Sequence, residues 1–136
     1  MPILNLKISK ELDNQEKGSI ISSLTELTHT YLKKKKEQTA ITLTHIAQNN
    51  WFVNSESLET LKQHSFYLDI KVTDGTNSKD EKEAYIKAVF DLFESILDNI
   101  HTESYVYIEE VKADAYGYSG KTQEYRFIHS RLPRTN

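Results

Sequence analysis

Residues 2–9, "PILNLKIS", alternate strictly: Leu4, Leu6 and Ile8 fall on one face, Ile3, Asn5 and Lys7 on the other. A period of two predicts a half-buried strand. Residues 66–72, "FYLDIKV", repeat the pattern with Phe66, Leu68, Ile70 and Val72 on one face. Each stretch leads into a helical period. In residues 13–36, Asp13 or Asn14 offers an N-cap, Glu16 falls in the first turn, and Ile20, Ile21, Leu24, Leu27, Tyr31 and Leu32 form an apolar stripe. In residues 77–97, Ser78 offers the cap, and Tyr85, Ile86, Val89, Phe90, Phe93, Ile96 and Leu97 form the stripe. Each helix is followed by a second strand, "TAITLTHI" at 39–46 and "SYVYIEEV" at 104–111.

The two halves are therefore one unit written twice. Leu4 and Lys7 match Leu68 and Lys71; after one inserted residue, Glu16-Lys17 matches Glu81-Lys82, and Ile21, Leu27 and Leu32 match Ile86, Leu92 and Leu97. The sequence predicts a single domain over residues 1–136, with β-α-β repeats at 1–50 and 65–115, a connector at 51–64 and a C-terminal tail at 116–136 that ends irregularly. Right-handed crossovers in both units give an α+β fold: a four-stranded sheet with both helices on one face. The other face is left for further copies of the chain to cover.

Composition removes several function classes. Of 136 residues, 17 are Lys or Arg and 20 are Asp or Glu, a formal net charge of −3, which argues against a general nucleic-acid binder. No apolar run approaches the ~20 residues of a membrane span, and the start lacks the layout of a signal peptide. With no cysteine, disulfides and thiolate metal sites are excluded. The five histidines show no ligand spacing, so neither a metal nor another cofactor is expected. A cytoplasmic protein follows as the expectation.

The Met-Pro start, the acidic and Gln/Lys helix entry of "DNQEKGS", and the aromatic Trp51 just past the second strand together resemble the tautomerase superfamily. The first half is similar to the single β-α-β unit of 4-oxalocrotonate tautomerase. The whole chain is similar to fused two-unit members, such as cis-3-chloroacrylic acid dehalogenase and malonate semialdehyde decarboxylase, with Phe66 standing where the second unit's proline would be. The resemblance implies a tautomerase/MIF-like fold and a homotrimer. It also implies an enzyme acting on a small molecule, in which Pro2, freed by removal of Met1, is the catalytic amine. An α-amino group titrates near ~7.7–8.0 and falls on burial or beside a cation, so it can move protons between carbon and oxygen in keto–enol tautomerisation of a 2-keto acid. Hydration or dehalogenation of an unsaturated acid, with Pro2 as general acid, is an alternative; a non-catalytic oligomeric binding protein on the same frame is another. Without that resemblance, Pro2 is an ordinary start to an edge strand.

The resemblance also marks candidate substrate-binding residues. His29 coincides with an active-site histidine of the dehalogenase, Tyr107 with its tyrosine, and Tyr118 with the position of its catalytic glutamate. Trp51 falls near the aromatic that walls the pocket of single-unit members. The substrate-holding arginines of those members fall at Leu12 and Ala40, those of the dehalogenase near Val72 and Gly75. The carboxylate is then left to another cation, and Arg126, whose planar fork suits a carboxylate, is the candidate. Each has a plainer reading: a solvated helix residue for His29, cross-strand packing for Tyr107 and a core anchor for Trp51. For "ADAYGYSGKTQEYRF" at 113–127 it is a hairpin against a neighbouring subunit.

Overall fold

The computed structural model describes residues 2–132. Met1, whose removal the catalytic reading requires, and residues 133–136 of the tail lie outside the described residues. The first unit runs β1 (Ile3–Ile8), α1 (Asn14–Leu32), β2 (Ala40–His45); the hairpin β3 (Phe52–Val53) and β4 (Glu56–Ser57) and the short helix α2 (Leu58–Leu61) follow. The second runs β5 (Phe66–Thr73), α3 (Lys79–Ile96), β6 (Tyr105–Val111), then β7 (Gly117–Tyr118), β8 (Lys121–Thr122) and α4 (Gln123–Arg131).

The sheet order is β2-β1-β5-β6, parallel within each unit and antiparallel where β1 meets β5. Leu4, Leu6 and Ile8 of β1 and Phe66, Leu68, Ile70 and Val72 of β5 are all buried against α1 and α3. Phe66 stacks on Phe93 with ring centres 4.2 Å apart. Full burial of side chains of this size stabilises by roughly 1.5–3 kcal/mol each, so this inward face fixes the register. The aligned glutamates of the repeat have a common cause. Asp13 with Glu16, and Ser78 with Glu81, each form a reciprocal capping box at the start of a long helix.

Three expectations need correction. The lysine run at 33–36 does not continue α1. Lys33 adopts a left-handed conformation (φ 61°), and the Lys33 and Lys34 N–H groups close on the carbonyls of His29 and Thr28, ending the helix at Leu32. The connector is not a bare link: Asn54 and Ser55, both at positive φ, turn the β3–β4 hairpin, and the fully buried Leu58 pins α2. The tail from 116 forms a hairpin and a helix that repeat that same device, and α4 runs to Arg131, into the stretch expected to be irregular. Leu58 N–H bonds the Trp51 carbonyl at 2.8 Å, as Gln123 N–H bonds that of Tyr116 at 2.7 Å. Ser57 caps α2 as Thr122 caps α4. In the second copy Gly120 takes φ 77°, and a Cβ on Gly117 would lie 2.1 Å from the Lys121 carbonyl oxygen, so both glycines are required by the turn.

Candidate active site

Topology decides what meets Pro2. Because β1 and β5 are antiparallel, Ile3 at the start of β1 faces Lys71 near the end of β5. Since β6 runs parallel to β5, it delivers residues 113–118 to that same end. Pro2 is buried there, and its carbonyl accepts the Ala40 N–H from the start of β2 at 3.3 Å.

Tyr116 closes over this end. Its hydroxyl donates to the Lys71 carbonyl at 3.3 Å and is also hydrogen-bonded by the Ile3 backbone, one residue from Pro2. Burial pushes the phenol above its ordinary value, against the opposing pull of the Ile3 bond and the Lys71 charge. The phenol therefore keeps its proton near neutrality and stays a donor.

Two cations stand at this end. Lys71 is bound to Asp69 at 3.2 Å and to Glu109 at 3.4 Å, and the hydrogen bond it donates to Asp69 is the main reason its ammonium is held above the usual lysine value. Lys34, on the loop between α1 and β2, differs. It is half-buried, its Nζ donates to the Thr76 hydroxyl at 2.8 Å, and it forms no ion pair among the described residues. Burial draws its ammonium below the ordinary lysine value.

A probable tautomerase of Campylobacter jejuni is 32% identical over 63 residues, which span 93% of that protein and 46% of this chain. The family model described as tautomerase enzyme matches residues 2–61, beginning at Pro2. The chain belongs to the tautomerase family. The family-model match falls in the first unit and the hairpin-helix device behind it. Solved structures cover nearly the whole chain. A native fused 4-OT superposes with a TM-score of 0.80 at 20% identity, over 90% of this chain and 97% of that one. A fused 4-OT described as an asymmetric trimer gives 0.79 at 18%, over 91% and 98%. A macrophage migration inhibitory factor-like protein from Entamoeba histolytica gives 0.72 at 16%, over 89% and 97%. At such identities the likeness carries the fold, here the duplicated tautomerase/MIF-like fold.

In this tautomerase the family's arginine positions have other occupants for clear physical reasons. Leu12 belongs to the buried core cluster, and Val72 is buried on the inward face. Gly75 takes φ 76° in the turn before α3, and Ala40 pairs with Ile3 at the start of β2. The candidate residues are spread widely. His29 is exposed on α1, with Nδ1 against the Lys34 carbonyl at 2.9 Å. Tyr107 is exposed on the open face of β6, opposite Asp69. Trp51 lies near the far end of β1 from Pro2, in a cavity with Lys7 and Tyr67. Arg126 and Tyr118 meet each other: the guanidinium stacks 3.8 Å from the ring centre, and Nη2 donates to the Tyr118 carbonyl at 3.0 Å. That pairing ties α4 to its own hairpin. Tyr116, Lys71 and Lys34 were not among the candidates. The repeat matches Lys71 to Lys7, and the shared hairpin-helix device matches Tyr116 to Trp51, but periodicity alone does not say which end of the sheet each unit caps.

Proposed function

We propose that this tautomerase catalyses keto–enol tautomerisation of a small 2-keto acid, with Pro2 as its proton-transferring amine once Met1 is removed. The observation that carries the reading is the buried position of Pro2 at the residue where the family match begins. Burial disfavours the protonated amine, drawing it toward neutrality. In ketonisation the ammonium of Pro2 delivers a proton to the carbon beside the enol, the enol hydroxyl gives up its own, and the amine is recharged. The Tyr116 phenol, turning its one proton from the Lys71 carbonyl to the substrate, supplies a hydrogen bond to the oxygen on which charge collects. Lys71 is neutralised by its two carboxylates, so we assign the substrate carboxylate to Lys34. Fused relatives described as trimers support a homotrimer here as well, and the exposed Phe127 and Ile128 of α4, with Leu132 just past its end, offer apolar surface for it.

The test is ketonisation of phenylenolpyruvate, followed by absorbance, for mature protein beside Pro2→Ala. Intact mass must show loss of Met1. A fall in kcat/KM of about 10²-fold or more in a variant of unchanged oligomeric state is expected. Equal rates would overturn the assignment and leave a binding protein on the tautomerase frame. Lys34→Ala should raise KM more than it lowers kcat.

A further inference from the structure

We infer that the chain holds a second ligand site, the duplicated counterpart of the Pro2 site without its amine, which binds a small carboxylate carrying a planar apolar body. At the far end of β1 from Pro2 lies a cavity of about 660 Å³, whose walls include Asn5, Lys7, Trp51, Phe52, Tyr67 and Asp69. The repeat explains its position. Lys7 corresponds to Lys71 and Trp51 to Tyr116, while Phe66 and Tyr67 stand where the first unit has Pro2 and Ile3. The register agrees, since Lys7 faces Tyr67 across the β1–β5 ladder as Lys71 faces Ile3.

The two ends have diverged in charge and in closure. Lys71 is neutralised by Asp69 and Glu109, and Tyr116 bonds down onto the strand ends beside it. Lys7 faces Thr44 on one side and Tyr67 on the other, and among the described residues it makes no ion pair. Its Nζ lies 5.9 Å from the centre of the Tyr67 ring. The carboxylate in the wall, Asp69, is held by Lys71 at 3.2 Å. Trp51 has no hydroxyl with which to tie itself down as Tyr116 does. The result is an open cavity with an uncompensated ammonium among aromatic walls, which suits an anion with a flat apolar body. No proton transfer follows there, because Phe66 is fully buried and stacked on Phe93. The site is one of binding, and it does not depend on the chemistry proposed for Pro2.

Trp51 is the sole tryptophan, so its fluorescence reports this cavity directly. The full chain is titrated with 3-phenylpropanoate and, separately, with the neutral isostere 3-phenylpropanamide. A saturable change is expected with the acid and a weaker one, by about tenfold, with the amide, the scale of one hydrogen bond to a charged group. Lys7→Gln should weaken the acid by a similar factor and leave the amide unchanged, whereas Lys7→Arg and Pro2→Ala should keep acid binding. Equal binding of acid and amide overturns the site, as does an acid isotherm unmoved by Lys7→Gln. Loss of acid binding in Pro2→Ala would place the ligand at the other end and equally overturns it. So does the absence of any saturable change, the result if a neighbouring copy fills the cavity. Should Lys7→Gln fail to fold by far-UV circular dichroism, the acid–amide comparison on the unaltered chain decides.

Discussion

The buried hydroxyl pair that joins the two helices offers a test in which one deletion should be worse than two. Thr28 of α1 and Tyr85 of α3 are both fully buried, and their oxygens lie 2.9 Å apart. Thr28 spends its single proton on the Leu24 carbonyl at 2.7 Å, so Tyr85 must be the donor between them. Removing the donor by Tyr85→Phe leaves Thr28 with its own proton still bonded; the loss is one net hydrogen bond, about 0.5–1.5 kcal/mol. Thr28→Val keeps the shape but strands a phenol O–H in the core, with a desolvation penalty of about 1–3 kcal/mol. The double variant Thr28→Val/Tyr85→Phe has no stranded group, and its destabilisation should fall below that of Thr28→Val alone. Burial pushes the Tyr85 phenol up to about 12, so the cycle should give the same coupling at neutral and mildly alkaline pH. The assay is equilibrium urea unfolding of all four proteins at one protein concentration, because association adds to apparent stability. Additive single effects, or a Thr28→Val variant as stable as the parent, would refute the donor assignment and the idea that this bond matters to the α1–α3 interface.

Two further outcomes follow from other parts of the molecule. His64 Nδ1 lies 2.9 Å from the buried Ser9 hydroxyl, which also accepts the Ser65 N–H at 2.9 Å. Burial is the main cause holding His64 below its ordinary value of 6.5. Its folded value being the lower one, its contribution is fully present above 6.5 and is lost as pH falls through that lower value. Urea unfolding should show stability declining between about pH 7.5 and 5.5, with a shallower decline in His64→Gln; an unchanged slope would place the pH dependence elsewhere. Gly117→Ala forces its Cβ to within 2.1 Å of the Lys121 carbonyl oxygen, so the second hairpin must open and carry Tyr116 off Ile3 and Lys71. Phenylenolpyruvate turnover should fall while the far-UV spectrum persists; parent-like turnover would separate Tyr116 from catalysis.

Much of the architecture was legible before any coordinates. Alternation in 2–9 and 66–72 decided which side chains face the helices, because a one-residue slip would turn Leu4, Leu6 and Ile8 outward. The paired glutamates marked both helix starts, since a capping box is a local interaction. Local rules were weaker at the exits. The lysine run reads as helix, yet Lys33 turns left-handed to satisfy the carbonyls of His29 and Thr28. The hairpin at 52–57 escaped notice because strands of two residues carry no period, whereas the stretch at 113–127 reads as a hairpin.

The site divides in the same way. Pro2 stood out in the sequence through the Met-Pro start set in a duplicated frame that resembles the tautomerase superfamily. Its neighbours were not readable, because they are chosen by the antiparallel joining of β1 to β5, which brings residues 71 and 116 to residue 3. That pairing also sends Trp51 to the opposite end and leaves Arg126 locked on Tyr118. The sequence by itself determined the repeat, its caps and its inward face, all of which depend on contacts a few residues apart or on the side-chain period. Only the tertiary structure decided which lysine is neutralised and which has no ion pair among the described residues, because charges couple through space and the two copies of one unit meet different neighbours.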